Sequence, residues 1–237
     1  MSNVLIVLTS HTKLGDTGRP TGFYYEELAT PYWALVDAGH TVEIASIQGG
    51  PAAHDPGSLK ADSALRPASV SRFLADPAAM AKLASTTAIT AIDPASHDAV
   101  FLPGGHGTMW DFGANEFLGA VVGKIFDKGG IVGAVCHGPA GLVNAMRANG
   151  RPVVEGLRVN SFTDAEEEAV GLTKTMPFLL ESRLTELGAK FEAAPNFTPK
   201  AVRDGQLVTG QNPMSSDVTV GLFLEALNDL SATANAA

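Results

Sequence analysis

The sequence predicts a single α/β domain with a mostly parallel central sheet, helices on both faces in flavodoxin-like fashion, and a nucleophile elbow. Short apolar runs alternate with longer amphipathic stretches along the chain, the pattern of a parallel sheet with crossover helices. The runs are apolar at consecutive positions, as strands buried on both faces require. Glycine and proline clusters separate them.

Residues 4–8 read as the first strand, followed by a polar, glycine-containing loop over 10–22. A helix is expected over 23–38, with Leu28, Leu35 and Val36 among its apolar positions and Gly39 as its stop. Thr41–Ser46 reads as the second strand, and 48–58 as a loop. One helix is expected over 70–84. The buried strand Ala99–Leu102 ends at Pro103-Gly104-Gly105, and a helix over 116–128 is stopped by Gly129-Gly130. Ile131–Val135 is a strand that runs into Cys136, with a helix beginning after it. Beyond it the pattern is less regular, with helices near 178–187 and 217–230, the latter started by Asn212-Pro213. The domain spans 1–230, and 231–237 reads as a frayed tail. Ligands in such sheets bind at the carboxyl ends of strands, here after Leu8, Leu102 and Val135.

Composition narrows the function. The chain has 237 residues, 45% of them hydrophobic, enough for one well-buried core and short for two ordinary domains. Its 16 basic and 25 acidic residues give a net charge of -9, which argues against nucleic acid or an anionic membrane as partner. No apolar run approaches the roughly 18–20 residues that span a bilayer. The first residues lack a basic leader and read as strand rather than secretory signal. One cysteine cannot form an intrachain disulfide, so a reducing compartment, the cytoplasm, is expected.

The strongest local signal is Gly133-Ala134-Val135-Cys136-His137-Gly138-Pro139-Ala140. A buried strand runs straight into Cys136 among small residues, as in an elbow whose tight turn lifts a nucleophile above the sheet. Ala134 and Gly138 supply the small flanks, and Pro139 suits a first helical turn. A thiol at a helix N-terminus is expected to have a lowered pKa. A lone cysteine beside a strand is more often a small buried hydrophobe; the elbow pattern outweighs that reading. The second signal is Pro103-Gly104-Gly105-His106-Gly107, whose glycines let backbone N–H groups approach a ligand. An oxyanion hole beside Cys136 is the expectation, with Gly104, Gly105 and His106 as its residues. Phosphate-loop and dinucleotide fingerprints are absent. No histidine follows position 137, which excludes papain-like arrangements and leaves His137 as the imidazole certain to lie near Cys136. Candidate carboxylates to orient it are Glu26, Glu27 and the run Glu166, Glu167, Glu168, which by default is a solvated helix start. The histidines are too sparse for a metal motif.

These residues resemble the ThiJ/PfpI family of the class I glutamine amidotransferase-like superfamily, closest to its stress-induced branch of glutathione-independent glyoxalases and chaperones. The likeness also runs through Thr21-Gly22-Phe23-Tyr24-Tyr25-Glu26-Glu27, Pro31, Phe162-Thr163-Asp164-Ala165-Glu166-Glu167-Glu168 and Val208-Thr209-Gly210-Gln211-Asn212-Pro213. It implies a protonated Glu27 bonded to the cysteine sulfur, and a triad of Cys136, His137 and an acid that matches Glu167 best among three adjacent glutamates. Glutamine amidotransferases place His-x-Glu downstream of the cysteine, which this chain lacks.

The resemblance implies conversion of a small 2-oxoaldehyde, methylglyoxal first, to D-lactate through a hemithioacetal on Cys136. His137 or Glu27 would act as base. No glutathione, metal or nicotinamide is implied, and a homodimer is. A stress chaperone and a cysteine redox sensor are the competing expectations, with amidase, peptidase or deglycase chemistry behind them.

Overall fold

The computed structural model describes residues 1–236, with side chains to residue 232. Its elements run β1 (Asn3–Leu8), α1 (Tyr25–Asp37), β2 (Thr41–Ser46), α2 (Ala68–Ala75), α3 (Pro77–Ala84), β3 (Thr87–Ala88) and β4 (Ala99–Leu102). There follow α4 (Thr108–Asp111), α5 (Glu116–Asp127), β5 (Ile131–Val135), β6 (Arg158–Val159), α6 (Asp164–Ala169) and α7 (Leu180–Glu186). The chain closes with β7 (Lys190–Phe191), β8 (Ala201–Asp204), β9 (Leu207–Gly210) and α8 (Ser216–Ala236).

Seven strands form one sheet in the order β3-β2-β1-β4-β5-β9-β8, parallel except for the β8–β9 pair. β6 and β7 pair apart from it. The predicted strands fall where expected because strand periodicity serves both faces. Val4, Ile6 and Leu8 enter one core, while Leu5 and Val7 enter the other. On the first face lie Leu28 and Leu35 of α1, Phe73 of α2, Leu83 of α3 and Phe223 of α8. On the second lie Leu118, Val122 and Ile125 of α5 and Leu184 of α7. Each large apolar side chain so buried is worth about 1.5–3 kcal/mol.

Two expectations are corrected. The helix expected over 70–84 is two, α2 and α3. Pro77 has no N–H to continue a helix and pushes Asp76 to extended backbone (φ -95°, ψ 112°). Asp76 then accepts hydrogen bonds from the N–H groups of Ala78 and Ala79, both at 2.9 Å. No α-helix follows Cys136; the chain takes one short 3-10 stretch, Gly138–Leu142. Two glycines and a proline in four residues give it little tendency to propagate. Of the tail expected over 231–237, residues 231–236 are the end of α8, with Ser231 Oγ donating to the Leu227 carbonyl at 3.0 Å, and residue 237 lies outside the described residues. The short or weakly patterned strands β3 and β6 to β9 had no signal of their own in the sequence.

Candidate active site

Because β1, β4, β5 and β9 are parallel, their carboxyl ends share one edge. The register pairs Leu102 with Ala134 and Val135 with Gly210, so the segments after β4, β5 and β9 meet there. Cys136 leaves the edge of β5 with φ +60°, one of two non-glycine residues with positive φ among the described residues. Such a conformation costs about 1–2 kcal/mol and persists only where surroundings enforce it. The enforcing contacts are the Cys136 N–H donating to the Gly210 carbonyl at 2.9 Å and the Phe162 N–H donating to the Cys136 carbonyl at 2.8 Å. Gly138 packs so closely on the Leu102 carbonyl that a Cβ would collide with it. The strand-to-nucleophile turn is thus an elbow, as the small flanks indicated.

Sγ of Cys136 lies 3.3 Å from Nδ1 of His137. Nε2 of His137 lies 2.8 Å from Oε2 of Glu167, and Nε2 of His106 lies 3.1 Å from the other oxygen of the same carboxylate. Burial works to raise the Glu167 pKa, but the hydrogen bonds from His106 and His137 outweigh it and hold the carboxyl at about 2. Burial, and His106 beside it, push His137 below its ordinary value, so it rests neutral. An ionised Glu167 accepts from Nε2–H of His137, which leaves the Nδ1 lone pair facing sulfur. Among the three adjacent glutamates, geometry selects Glu167. Glu168 is exposed. Glu166 is buried and turned elsewhere: Oε1 accepts from the Phe197 N–H at 2.7 Å and from Asn212 at 2.8 Å. The default of a solvated helix start fails for Glu166 and Glu167, which bond Gln211 and Asn212 just after β9 and His137 just after β5.

Glu27 enters from the first turn of α1 and is fully buried. Its Oε2 accepts from the Gly104 N–H at 2.7 Å, and the carboxyl lies beside the Cys136 thiol, to which it is hydrogen-bonded. Burial raises its pKa to about 8, so the carboxyl is protonated at neutral pH beside the thiol. Burial also pushes the Cys136 thiol well above its ordinary value, with Glu27 adding to the rise. That corrects the expectation of a helix-lowered thiol: a five-residue 3-10 stretch replaces the helix, and the sulfur is desolvated. Gly104 is corrected too. Its N–H is committed to Glu27, and a Cβ at this glycine would lie 2.6 Å from the His137 nitrogen, so it serves close backbone approach. Gly105, with φ +105°, lines the pocket. His106 also lines the pocket, and its ring lies 4.3 Å from that of His137.

The site opens into a cavity of about 300 Å³, with Cys136, His137 and His106 at its base and Phe162, Phe197 and Met214 among its walls. Tyr24 lines it as well, its hydroxyl pushed up to about 12, chiefly by burial. Donor atoms of His106, His137 and Glu167 lie within 4.8 Å of one another, so these three could hold a metal ion, a grouping the sequence reading missed. Here they are satisfied by hydrogen bonds to each other. His106 as a second partner of Glu167 was also missed; no spacing rule joins residues 106 and 167. No helix among the described residues is long and apolar enough to cross a membrane.

An open, mostly parallel α/β sheet with a cysteine on its elbow, an adjacent histidine and a buried glutamate from α1 defines a protein of the flavodoxin-like, amidotransferase-like fold. The chain belongs to the DJ-1/PfpI family, whose model matches residues 20–219. It is 30% identical to the glutathione-independent glyoxalase HSP31 of Saccharomyces cerevisiae, over 95% of this chain and 98% of that one. Among solved structures, the Rapid Encystment Protein 24 KDa of Francisella tularensis superposes with a TM-score of 0.91 at 36% identity, over 96% of this chain and 99% of that one. Glyoxalase III of Candida albicans superposes with a TM-score of 0.87 at 29% identity, over 95% and 97%.

Proposed function

We propose that this protein is a glutathione-independent glyoxalase that converts small 2-oxoaldehydes, methylglyoxal first, to 2-hydroxy acids, D-lactate in that case. The observation that carries this reading is the line Cys136 Sγ to His137 Nδ1 at 3.3 Å and His137 Nε2 to Glu167 at 2.8 Å, with a neutral carboxyl, Glu27, beside the sulfur. The names and full-length similarity of the relatives support it.

In the first step His137 Nδ1 takes the thiol proton as sulfur bonds to the aldehyde carbon C1. The carbonyl oxygen becomes an oxyanion, held by the backbone N–H groups of Gly105 and His137, and gains a proton to give the hemithioacetal. His137, its proton passed to the oxyanion, then removes the hydrogen of C1, and the electron pair moves through an enediol. A proton returns to C2. C1 is thereby oxidised to a thioester and C2 reduced to an alcohol, so no external redox partner is needed. Water cleaves the thioester, releasing the 2-hydroxy acid and the Cys136 thiol. Glu167 keeps His137 in the tautomer that accepts from sulfur. A reducing cytoplasm suits a lone reactive thiol, and a homodimer free of nucleic acid and membrane completes the reading.

Purified protein mixed with methylglyoxal and no added thiol tests this. Lactate from wild type and none from Cys136→Ala is expected. Substrate loss without lactate, or turnover in neither protein, would sink the proposal.

A further inference from the structure

Resting on the glyoxalase reading, we infer that Phe197 is a specificity-determining residue that contacts the distal group of the oxoaldehyde, and that Glu166 is the positioning residue that holds it there. The cavity is larger than methylglyoxal needs. At no more than about 30 Å³ per heavy atom, on the scale of liquid water, a three-carbon oxoaldehyde of about five heavy atoms occupies at most about half of it. Much of the lining is apolar, with Phe162, Val170, Leu172, Phe197 and Met214 beside the polar Arg19, Tyr24 and Asp55.

Phe197 is the second non-glycine residue with positive φ, at +58°. A β-carbon there is unfavourable, and glycine or asparagine would take the position at lower cost. Burial does not explain the phenyl ring, which keeps 39% of its surface exposed. What enforces the conformation is Glu166, itself 0% exposed. Its Oε1 accepts from the Phe197 N–H at 2.7 Å, from Asn212 Nδ2 at 2.8 Å and from Gln211 Nε2 at 3.1 Å. Its Oε2 accepts from the Thr163 N–H at 3.0 Å and hydroxyl at 3.2 Å. A buried carboxylate with this many donors is a rigid hub. Asn212 also donates to the Thr198 carbonyl at 2.9 Å, and Asn196 to the Ala165 carbonyl at 3.2 Å, so the loop is pinned on both sides of Phe197.

The pinned ring ends a row of rings that starts at the catalytic imidazole. His137 and Phe162 lie 4.5 Å apart by ring centroids, and Phe162 and Phe197 lie 6.2 Å apart. With C1 of the substrate at Sγ, the group on C2 extends along this row toward Phe197. Aliphatic or aromatic groups gain contact there, and a methyl group stops short of it.

Steady-state kinetics on methylglyoxal and 4-methyl-2-oxopentanal, following 2-hydroxy acid formation, test the inference with Phe197→Ala, Phe197→Gly and Glu166→Gln. Phe197→Gly suits the left-handed backbone and guards against misfolding. The expected result is a KM for the branched aldehyde raised about tenfold in Phe197→Ala and Phe197→Gly, with kcat held and methylglyoxal kinetics within about twofold. Glu166→Gln should shift the two substrates in the same unequal way. Equal losses on both substrates, or no change on either, would overturn the inference while leaving the glyoxalase reading intact. A wild type that forms no 2-hydroxy acid from methylglyoxal overturns both.

Discussion

Cys136, Glu27 and His137 are three ionisable groups removed from water within one turn of backbone and its neighbour helix. Burial favours the neutral form of each, and ionised Glu167 anchors the network. Glu167→Gln lets an amide donate to Nε2 and turn the Nδ1 proton toward sulfur. That variant is expected to keep the fold and lose about 10²–10⁴ in kcat/KM, measured as lactate formation. On the proposed mechanism, Glu27 sets the alkaline limb of the pH profile. As pH rises through about 8 its carboxyl ionises and sets a negative charge beside the sulfur that must become thiolate. Wild-type kcat/KM is therefore expected to fall near pH 8, and Glu27→Gln, neutral at every pH, to lack that limb in whatever activity it retains. On the same mechanism the acid limb is expected from His137, below its ordinary 6.5, because burial lowers its pKa.

At the scale of the element, the elbow depends on one close approach. Gly138 lies against the Leu102 carbonyl, where any Cβ collides with backbone that cannot move without breaking the β4–β5 register. Gly138→Ala is expected to destabilise the protein by about 3 kcal/mol or more in denaturant unfolding. A loss under about 1 kcal/mol would show that the elbow relaxes. The α2–α3 junction gives a milder case. Asp76→Ala removes the side-chain cap from two N–H groups and should cost about 1 kcal/mol. Of the four strands legible in the sequence, β1, β4 and β5 show as runs of consecutive apolar residues because both faces of each are buried. The two-residue strands β3, β6 and β7 carry too few residues for any period to show.

For the molecule as a whole, Glu27 and Glu167 tie stability to pH in opposite directions. Glu167 has a folded pKa of about 2, below its ordinary 4.5, so its contribution is present above 4.5 and is lost as pH falls toward 2. Glu27 has a folded pKa of about 8, above 4.5, so its contribution is present below 4.5 and is lost as pH rises toward 8. Comparing wild type with Glu27→Gln isolates the second effect. The stability of Glu27→Gln relative to wild type should rise between pH 5 and pH 8 by on the order of a few kcal/mol. A flat difference would mean that Glu27 holds no proton in the folded protein.

The nucleophile, its neighbouring imidazole and the strands that bear them are contiguous in the chain, so the sequence by itself determined the elbow, Cys136, His137 and the parallel sheet. Local chemistry is enough there: a buried strand, small flanks and a tight turn. Glu27 and Glu167 were reached through the resemblance, because nothing local separates a buried glutamate from its exposed neighbours. Only the tertiary structure decided the rest. It turned Glu167 toward the imidazoles and Glu166 toward Phe197, committed the Gly104 N–H to Glu27, and added His106 to the network. It also raised the thiol pKa that a helix N-terminus was expected to lower. The reason is physical: solvation and hydrogen-bond direction depend on what the sheet edge brings together from residues 27, 104, 136, 167 and 211, and no spacing within the chain records that meeting.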